Sequence, residues 1–373
     1  LPQLAFAESI YEVSEGTNTA VITLTVSPTP MAAVTAELVT QDNTAIANSD
    51  YLTVSQTITV PAGSAFVTTT IPILDNFVQE PAETLTLSLA DAVGAYIDLA
   101  NAGLKITDDD TAGLQVDASE MMTTTEAGGT AAFTIRLSSE PTAAVTLTLQ
   151  STNPDEGLIS PTLLNFDAAN WSTPQTITIT GQDDFVVDGP LTYTVAFTPT
   201  SSTDPYYVGL TLPEYMLTNL DDDTAGLHLD ASETITTSEK GGTAVVAVSL
   251  MSQPTAAVTL TVSSSNPAEG IVSPTQLLFD PLTWGLPQEV TIIGQDDELV
   301  DGPITYTVTF TPVLSTDPIY AALSPLALTV TNLDDDKPVW YQFIPLIHYP
   351  APVAQQTGLP HNGRWYPSQV RPH

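Results

Sequence analysis

Carboxylates are the one side-chain class here whose number and spacing could do chemistry. Asp183-Asp184-Phe185-Val186-Val187-Asp188-Gly189 and Asp296-Asp297-Glu298-Leu299-Val300-Asp301-Gly302 each set two adjacent acids four residues ahead of a third. Asp75-Asn76-Phe77-Val78-Gln79-Glu80 keeps the outline, with Glu for Asp at its end. Such a loop can curl around one ion, and Ca²⁺ takes six to eight oxygens from flexible carboxylate loops of this kind. Three acidic runs accompany the loops: Asp108, Asp109 and Asp110; Asp221, Asp222 and Asp223; Asp334, Asp335 and Asp336. An acidic residue near the first strand of each copy completes the pattern.

Other chemistry finds no constellation. Of four histidines only His228 precedes the tail, and Gln115 is its counterpart; His348, His361 and His373 lack metal-motif spacing. Without cysteine there is neither a disulfide nor a thiolate site. Paired carboxylates recur in every copy, which argues for structure rather than one active site, and the chain is read as non-enzymatic. The formal charge of −37, from 43 acids against six bases, disfavours nucleic acid. The same self-repulsion would destabilise a compact state unless cations offset it. No phosphate-binding glycine loop or transmembrane run occurs.

The Asp runs recur at one interval of 113 residues, and residues 111–223 and 224–336 match without a gap at 68 of 113 positions. They are copies of one unit. Residues 1–110 are a diverged third copy, in which Ser14-Glu15-Gly16-Thr17 echoes Glu126-Ala127-Gly128-Gly129-Thr130 and Met31-Ala32-Ala33-Val34-Thr35 echoes Thr142-Ala143-Ala144-Val145-Thr146. The domains are therefore 1–110, 111–223 and 224–336, with a tail over 337–373.

Within a copy apolar residues alternate with Thr and Ser, as in Val21-Ile22-Thr23-Leu24-Thr25-Val26 and Thr305-Tyr306-Thr307-Val308-Thr309-Phe310. Period two with one buried face predicts strands, and 30 Pro and 20 Gly supply turns between them. About seven strands in roughly 100 residues is the size of an immunoglobulin-like sandwich, so the expected fold is all-β. Trp171 and Trp284 occupy equivalent positions, as core or sheet-end anchors or else as sugar-stacking platforms.

These features together resemble the Calx-β domain, the calcium-binding sandwich of sodium–calcium exchangers and many bacterial surface proteins. The resemblance covers residues 4–336 and is fullest in copy one. There Phe6-Ala7-Glu8, Gln41-Asp42-Asn43-Thr44-Ala45, Ser49-Asp50-Tyr51, Asp75 to Glu80 with Glu83-Thr84-Leu85, and Asp108 to Asp110 follow the family pattern in order. It implies calcium as cofactor and Glu8, Asp42, Asp75, Glu80, Asp108, Asp109 and Asp110 as ligands. In the later copies it implies Asp183, Asp184, Asp188, Asp221, Asp222 and Asp223, then Asp296, Asp297, Asp301, Asp334, Asp335 and Asp336. Asn153-Pro154 and Asn266-Pro267 fall near the place of Asp42, and Glu120 and Glu233 near that of Glu8.

The tail is different material. Residues 337–373 hold no Asp or Glu but half of the six basic residues, so the body carries −40 and the tail +3. Trp340, Tyr341, Phe343, Ile344, Arg364, Trp365 and Arg371 give it the makeup of a docking segment. Added to the next subunit head-to-tail, an arm of this kind builds a filament. Folding back on domain three, or anchoring to a cell envelope, are the other readings. Leu1 in place of Met is consistent with a removed secretion signal, and the lack of Cys with calcium sites points outside the cell, to its surface. The sequence thus predicts an extracellular structural protein that polymerises with copies of itself. An adhesin holding a glycan or protein, and a spacer within a larger secreted enzyme, are the alternatives.

Overall fold

A computed structural model describes residues 1–119 and 121–338, except for the side chain at 313. The expectations at Trp340, Tyr341, Phe343, Ile344, Arg364, Trp365 and Arg371, and the stand-in Glu120, lie outside those residues.

The alternation acts as expected. Along Thr19–Ser27 the residues Ala20, Ile22, Leu24 and Val26 are buried while their neighbours face outward. Leu85, Leu87 and Leu104 meet them from the opposite sheet. Three such cores exist, the second built around Phe133, Ile135, Leu147 and Ile177 and the third around Val246, Val248, Leu260 and Ile292. Each core lies between a four-stranded and a five-stranded sheet, which makes three β-sandwiches. Removing these apolar faces from water is the main favourable term in each unit.

Each sandwich has more strands than the seven expected because some switch sheets midway. In copy two the first strand is divided. Leu114–Asp117 pairs antiparallel with Thr130–Leu137 in one sheet, and Met122–Thr125 pairs parallel with Tyr215–Leu220 in the other. Gly157–Ser160 and Leu163–Phe166 divide in the same way around Pro161, which has no N–H to continue a ladder. The parallel pairing of first and last strands recurs as Ile10–Ser14 with Asn101–Thr107 and as Ile235–Ser238 with Leu326–Leu333. The one α-helix among the described residues, Pro318–Ala321, is capped by the Asp317 carboxylate, which accepts from the Ile319 and Tyr320 amides. Among the described residues no helix is long and apolar enough to cross a membrane.

Candidate metal centres at the domain joints

The parallel register builds the centres. Ser14 sits opposite Thr107, Thr125 opposite Leu220 and Ser238 opposite Leu333. The next residue of each pair leaves the sheet side by side, so Glu15 meets Asp108, Glu126 meets Asp221 and Glu239 meets Asp334. This corrects the expectation for Glu8, which is exposed and precedes Ile10, itself opposite Gly103 at the far end of the ladder. The five-residue strand Ile10–Ser14, roughly 16 Å long, lies between it and Glu15. Glu233 is likewise exposed, six residues before Glu239.

The first Asp of each run ties the acidic loop down. Asp108 Oδ2 accepts from the Glu80 amide at 3.0 Å, Asp221 Oδ2 from Gly189 at 2.8 Å and Asp334 Oδ2 from Gly302 at 2.7 Å. Its other oxygen accepts from the third residue of the run, at 2.9, 2.8 and 2.7 Å. In copy one Asp109 Oδ1 also takes the Gly16 amide at 2.9 Å, an approach that a Cβ on Gly16 would obstruct. Asp184 and Asp297 hold their own turns through the amides of Val186 and Leu299.

So tied, carboxylates crowd. Oxygens from Glu15, Asp75 and Asp109 lie within 4.8 Å of one another, as do those of Glu15, Asp108 and Asp110. Glu126 gathers Asp184 with Asp223 and Asp183 with Asp222 in the same way, and a further set joins Glu156, Asp184 and Asp188. Burial, then the Asp108, Glu80 and Asp75 charges, push the Glu15 carboxyl up to about 8. Burial with Asp221, Asp184 and Asp188 pushes Glu126 up to about 7. Asp110, Asp188 and Asp223 are raised by burial and by their acidic neighbours. Asp336 is raised likewise, with Asp296, Asp334 and Asp297 as neighbours, and Glu239 by burial and by Asp334, Asp297, Asp336 and Asp301.

Four buried carboxylate oxygens have no hydrogen-bond partner among the described residues: Glu15 Oε1, Glu126 Oε2, Asp223 Oδ2 and Asp336 Oδ2. All four belong to these clusters. A buried, unpaired carboxylate oxygen is expensive unless paired, hydrogen-bonded or metal-bound. The donors are hard, anionic and carried on loops, so the residues fit a hard divalent cation.

Asp42 serves its own loop, where its Oδ1 accepts from the Tyr51 hydroxyl at 2.5 Å and the Ala47 amide at 3.0 Å. Nearby, burial and a hydrogen bond with Asp50 raise Glu83, with Glu80 adding to the shift. Copies two and three instead use Glu156 and Glu269. Both are buried, and their Oε2 atoms accept from Asn219 and Asn332, which also reach Thr124 and Thr237 on the neighbouring parallel strand of their own sheet. The sequence reading missed Glu15, Glu126, Glu239, Glu156 and Glu269. A signal was present, since Glu126 and Glu156 recur as Glu239 and Glu269 while their neighbours Ala127 and Asp155 become Lys240 and Ala268.

The same loops form the joints. Phe77, two residues after Asp75, packs tilted at 5.8 Å on Trp171 of the next sandwich, and its carbonyl accepts from the Glu140 amide at 2.6 Å. Gln79 Oε1 adds a bond from the Ala112 amide at 2.7 Å. One copy later Phe185 packs at 6.0 Å on Trp284 and its carbonyl accepts from the Gln253 amide at 2.7 Å. Trp171 and Trp284 also pack on their own cores, so they are sheet-end anchors whose outer faces meet the preceding domain.

Residues 2–110 match the family model of the Calx-beta domain. No match is found among curated proteins. Among solved structures, the apo form of the Calx CBD1 domain is 23% identical, with 29% of this chain and 98% of that one covered and a TM-score of 0.28. The calcium binding domain CBD12 of CALX1.1 is 21% identical over 53% of this chain and 79% of its own, with a TM-score of 0.35. Domains 4 and 5 of the S-layer protein SbsC are 13% identical over 50% and 76%, with a TM-score of 0.24. The first sandwich of this chain thus matches the Calx-beta domain family, and two further β-sandwiches come after it.

Proposed function

We propose that this chain is an extracellular structural protein, a row of calcium-braced sandwiches that assembles head-to-tail through residues 337–373. The observation that carries the calcium reading is the set of four buried carboxylate oxygens without partners, all within the acidic clusters. In each sandwich the ion would be held by the Glu that follows the first strand, by the paired acids of the loop and by the Asp run. That means Glu15 with Asp75, Asp108, Asp109 and Asp110; Glu126 with Asp183, Asp184, Asp222 and Asp223; and Glu239 with Asp296, Asp297, Asp335 and Asp336. Glu156 with Asp184 and Asp188 offers a second position. When bound, the ion supplies positive charge that joins the first strand to the last. Extracellular modules of this type typically bind at roughly 10⁻⁴ to 10⁻³ M, which suits a structural ion.

The assembly half of the proposal is supported by charge and composition, an acidic body followed by a basic aromatic arm. A glycan-binding reading loses its two best platforms, because the outer faces of Trp171 and Trp284 carry Phe77 and Phe185. Two measurements test the proposal. Excess chelator should lower the melting temperature, and electron microscopy of the calcium-loaded chain should show filaments. An unchanged melting curve removes calcium from the reading, and single particles at every concentration remove assembly.

A further inference from the structure

We infer that the leading end of sandwich one is the acceptor for the aromatic tail of a second copy, an inference that rests on the head-to-tail reading above. Sandwiches two and three show what this end does when covered. In both, the segment between two core strands, 138–144 and 251–257, offers a backbone N–H to the preceding domain's loop, and a Trp beside it takes that loop's Phe. Ser139 and Ser252 there are buried.

In sandwich one the equivalent segment is Ser27-Pro28-Thr29-Pro30-Met31-Ala32-Ala33, with Pro30 aligned on Pro141 and Val34 on Val145. Its Pro28 and Thr29 are exposed, and Met31 is fully exposed at 102%. With Leu1, Ala33 and Gly94 these residues line an apolar groove of ≈ 430 Å³. The Thr29 amide, counterpart of the donors of Glu140 and Gln253, has no acceptor among the described residues. Ala65 replaces the Trp: its carbonyl accepts from Val26 as those of Trp171 and Trp284 accept from Leu137 and Leu250, and Phe66 beside it is exposed. The end is apolar and open, and its shape differs from that of the internal joints.

The trailing end of sandwich three differs in the complementary way. Glu298 stands where Phe77 and Phe185 stand, so this loop has no ring to offer. The first aromatic residues past Asp336 are Trp340, Tyr341 and Phe343, four to seven residues on. The aromatic donor has moved from loop to tail. A +3 tail is also drawn to a −40 body. Phe77 and Phe185 show each domain's loop gripping the following one, so the tail leaves the third sandwich at the end away from the first. A second copy is therefore its partner.

The test is a pair of variants in the full chain, read by sedimentation velocity in calcium. Met31→Lys puts a charge into the groove at a fully exposed position and should weaken self-association at least roughly tenfold, whereas Met31→Leu should not. Trp340→Ala with Phe343→Ala should weaken it as much from the other side. Neither variant should polymerise alone, yet mixed they should form a 1:1 dimer that grows no further, since one good groove and one good tail remain. If Met31→Lys assembles like the parent while the tail variant does not, the groove is not the acceptor and the assembly reading stands. If the tail variant assembles like the parent, or the parent is monomeric throughout, both readings fall.

Discussion

The trailing ends of sandwiches two and three come from copies identical at 68 of 113 positions, yet they part at the loop that faces the next stretch of chain. Both keep the buried Glu, the paired loop acids and the Asp run. Sandwich two adds Phe185, held at φ 76, a conformation uncommon for a bulky residue, with its ring against Trp284. Sandwich three has Glu298 at that position and Lys240 in place of Ala127, and the Lys240 ammonium pairs with Asp335. Asp222, the counterpart of Asp335, has no basic partner among the described residues. The acids of the cluster and the ring that grips the next domain are therefore separable parts of one loop, since the acids persist in both copies while the ring is lost in the third.

Metal removal should have the largest effect and should erase the comparison. An ion at about 100 times its dissociation constant stabilises its site by about 2.7 kcal/mol, and for a domain of this size that shifts melting by on the order of 10 °C. Calorimetry in excess chelator should show that drop. A drop in sandwich three alone would reverse the ranking of the two ends.

Next comes the joint itself. Phe185→Ala should destabilise the docked pair by about 1 kcal/mol, free the angle between sandwiches two and three in X-ray scattering, and leave calcium stoichiometry unchanged. Glu298→Ala should change neither. If the two substitutions behave alike, the aromatic clasp is not the source of the difference.

Acidity gives a smaller, signed effect. Glu15 at about 8 and Glu126 at about 7 hold protons more tightly folded than unfolded, where such groups titrate near roughly 4.3. Their contribution is complete below the unfolded value and lost as pH rises through the folded ones. Metal-free chain should therefore melt lower at pH 8 than at pH 5. Calcium should bind more weakly at pH 5, because protons compete for the same oxygens. A metal-free melting temperature that climbs between pH 5 and pH 8 would contradict the crowding.

Smallest is Lys240→Ala. Removing an exposed ammonium from the third cluster should tighten calcium there by a factor of a few, as exposed ion pairs are worth about 1 kcal/mol or less. Titration calorimetry should resolve this against unchanged sites in the other two sandwiches.

Much of the fold could be read from sequence, because strand alternation and repeats are local or self-aligning signals. The Asp runs and acidic loops were legible because their acids are contiguous. Glu15, Glu126 and Glu239 were not, because what brings them to the runs is the register of a parallel pair whose strands lie about 90 residues apart. Glu8 fits by order along the chain, but it precedes the strand Ile10–Ser14, whose direction puts it at the end of the ladder away from the Asp run. Glu156 and Glu269 arrive through Asn219 and Asn332 on the last strand, a contact with no local signature. Trp171 and Trp284 were seen to be equivalent, but their outer partners, Phe77 and Phe185, belong to the preceding domain.

The parallel pairing of first and last strands has a mechanical meaning. A pull along the array draws Met122–Thr125 back toward sandwich one and Tyr215–Leu220 forward toward sandwich three, and the same holds for the matching strands of the other units. The load runs along the strands, so the bonds of the ladder must slide and fail together instead of opening one at a time. Glu126 and the Asp221–Asp223 run lie at the far end of that sliding interface, one on each strand. A cation between them would act as a rivet across the shear plane, and its loss would leave the hydrogen bonds to carry the tension alone.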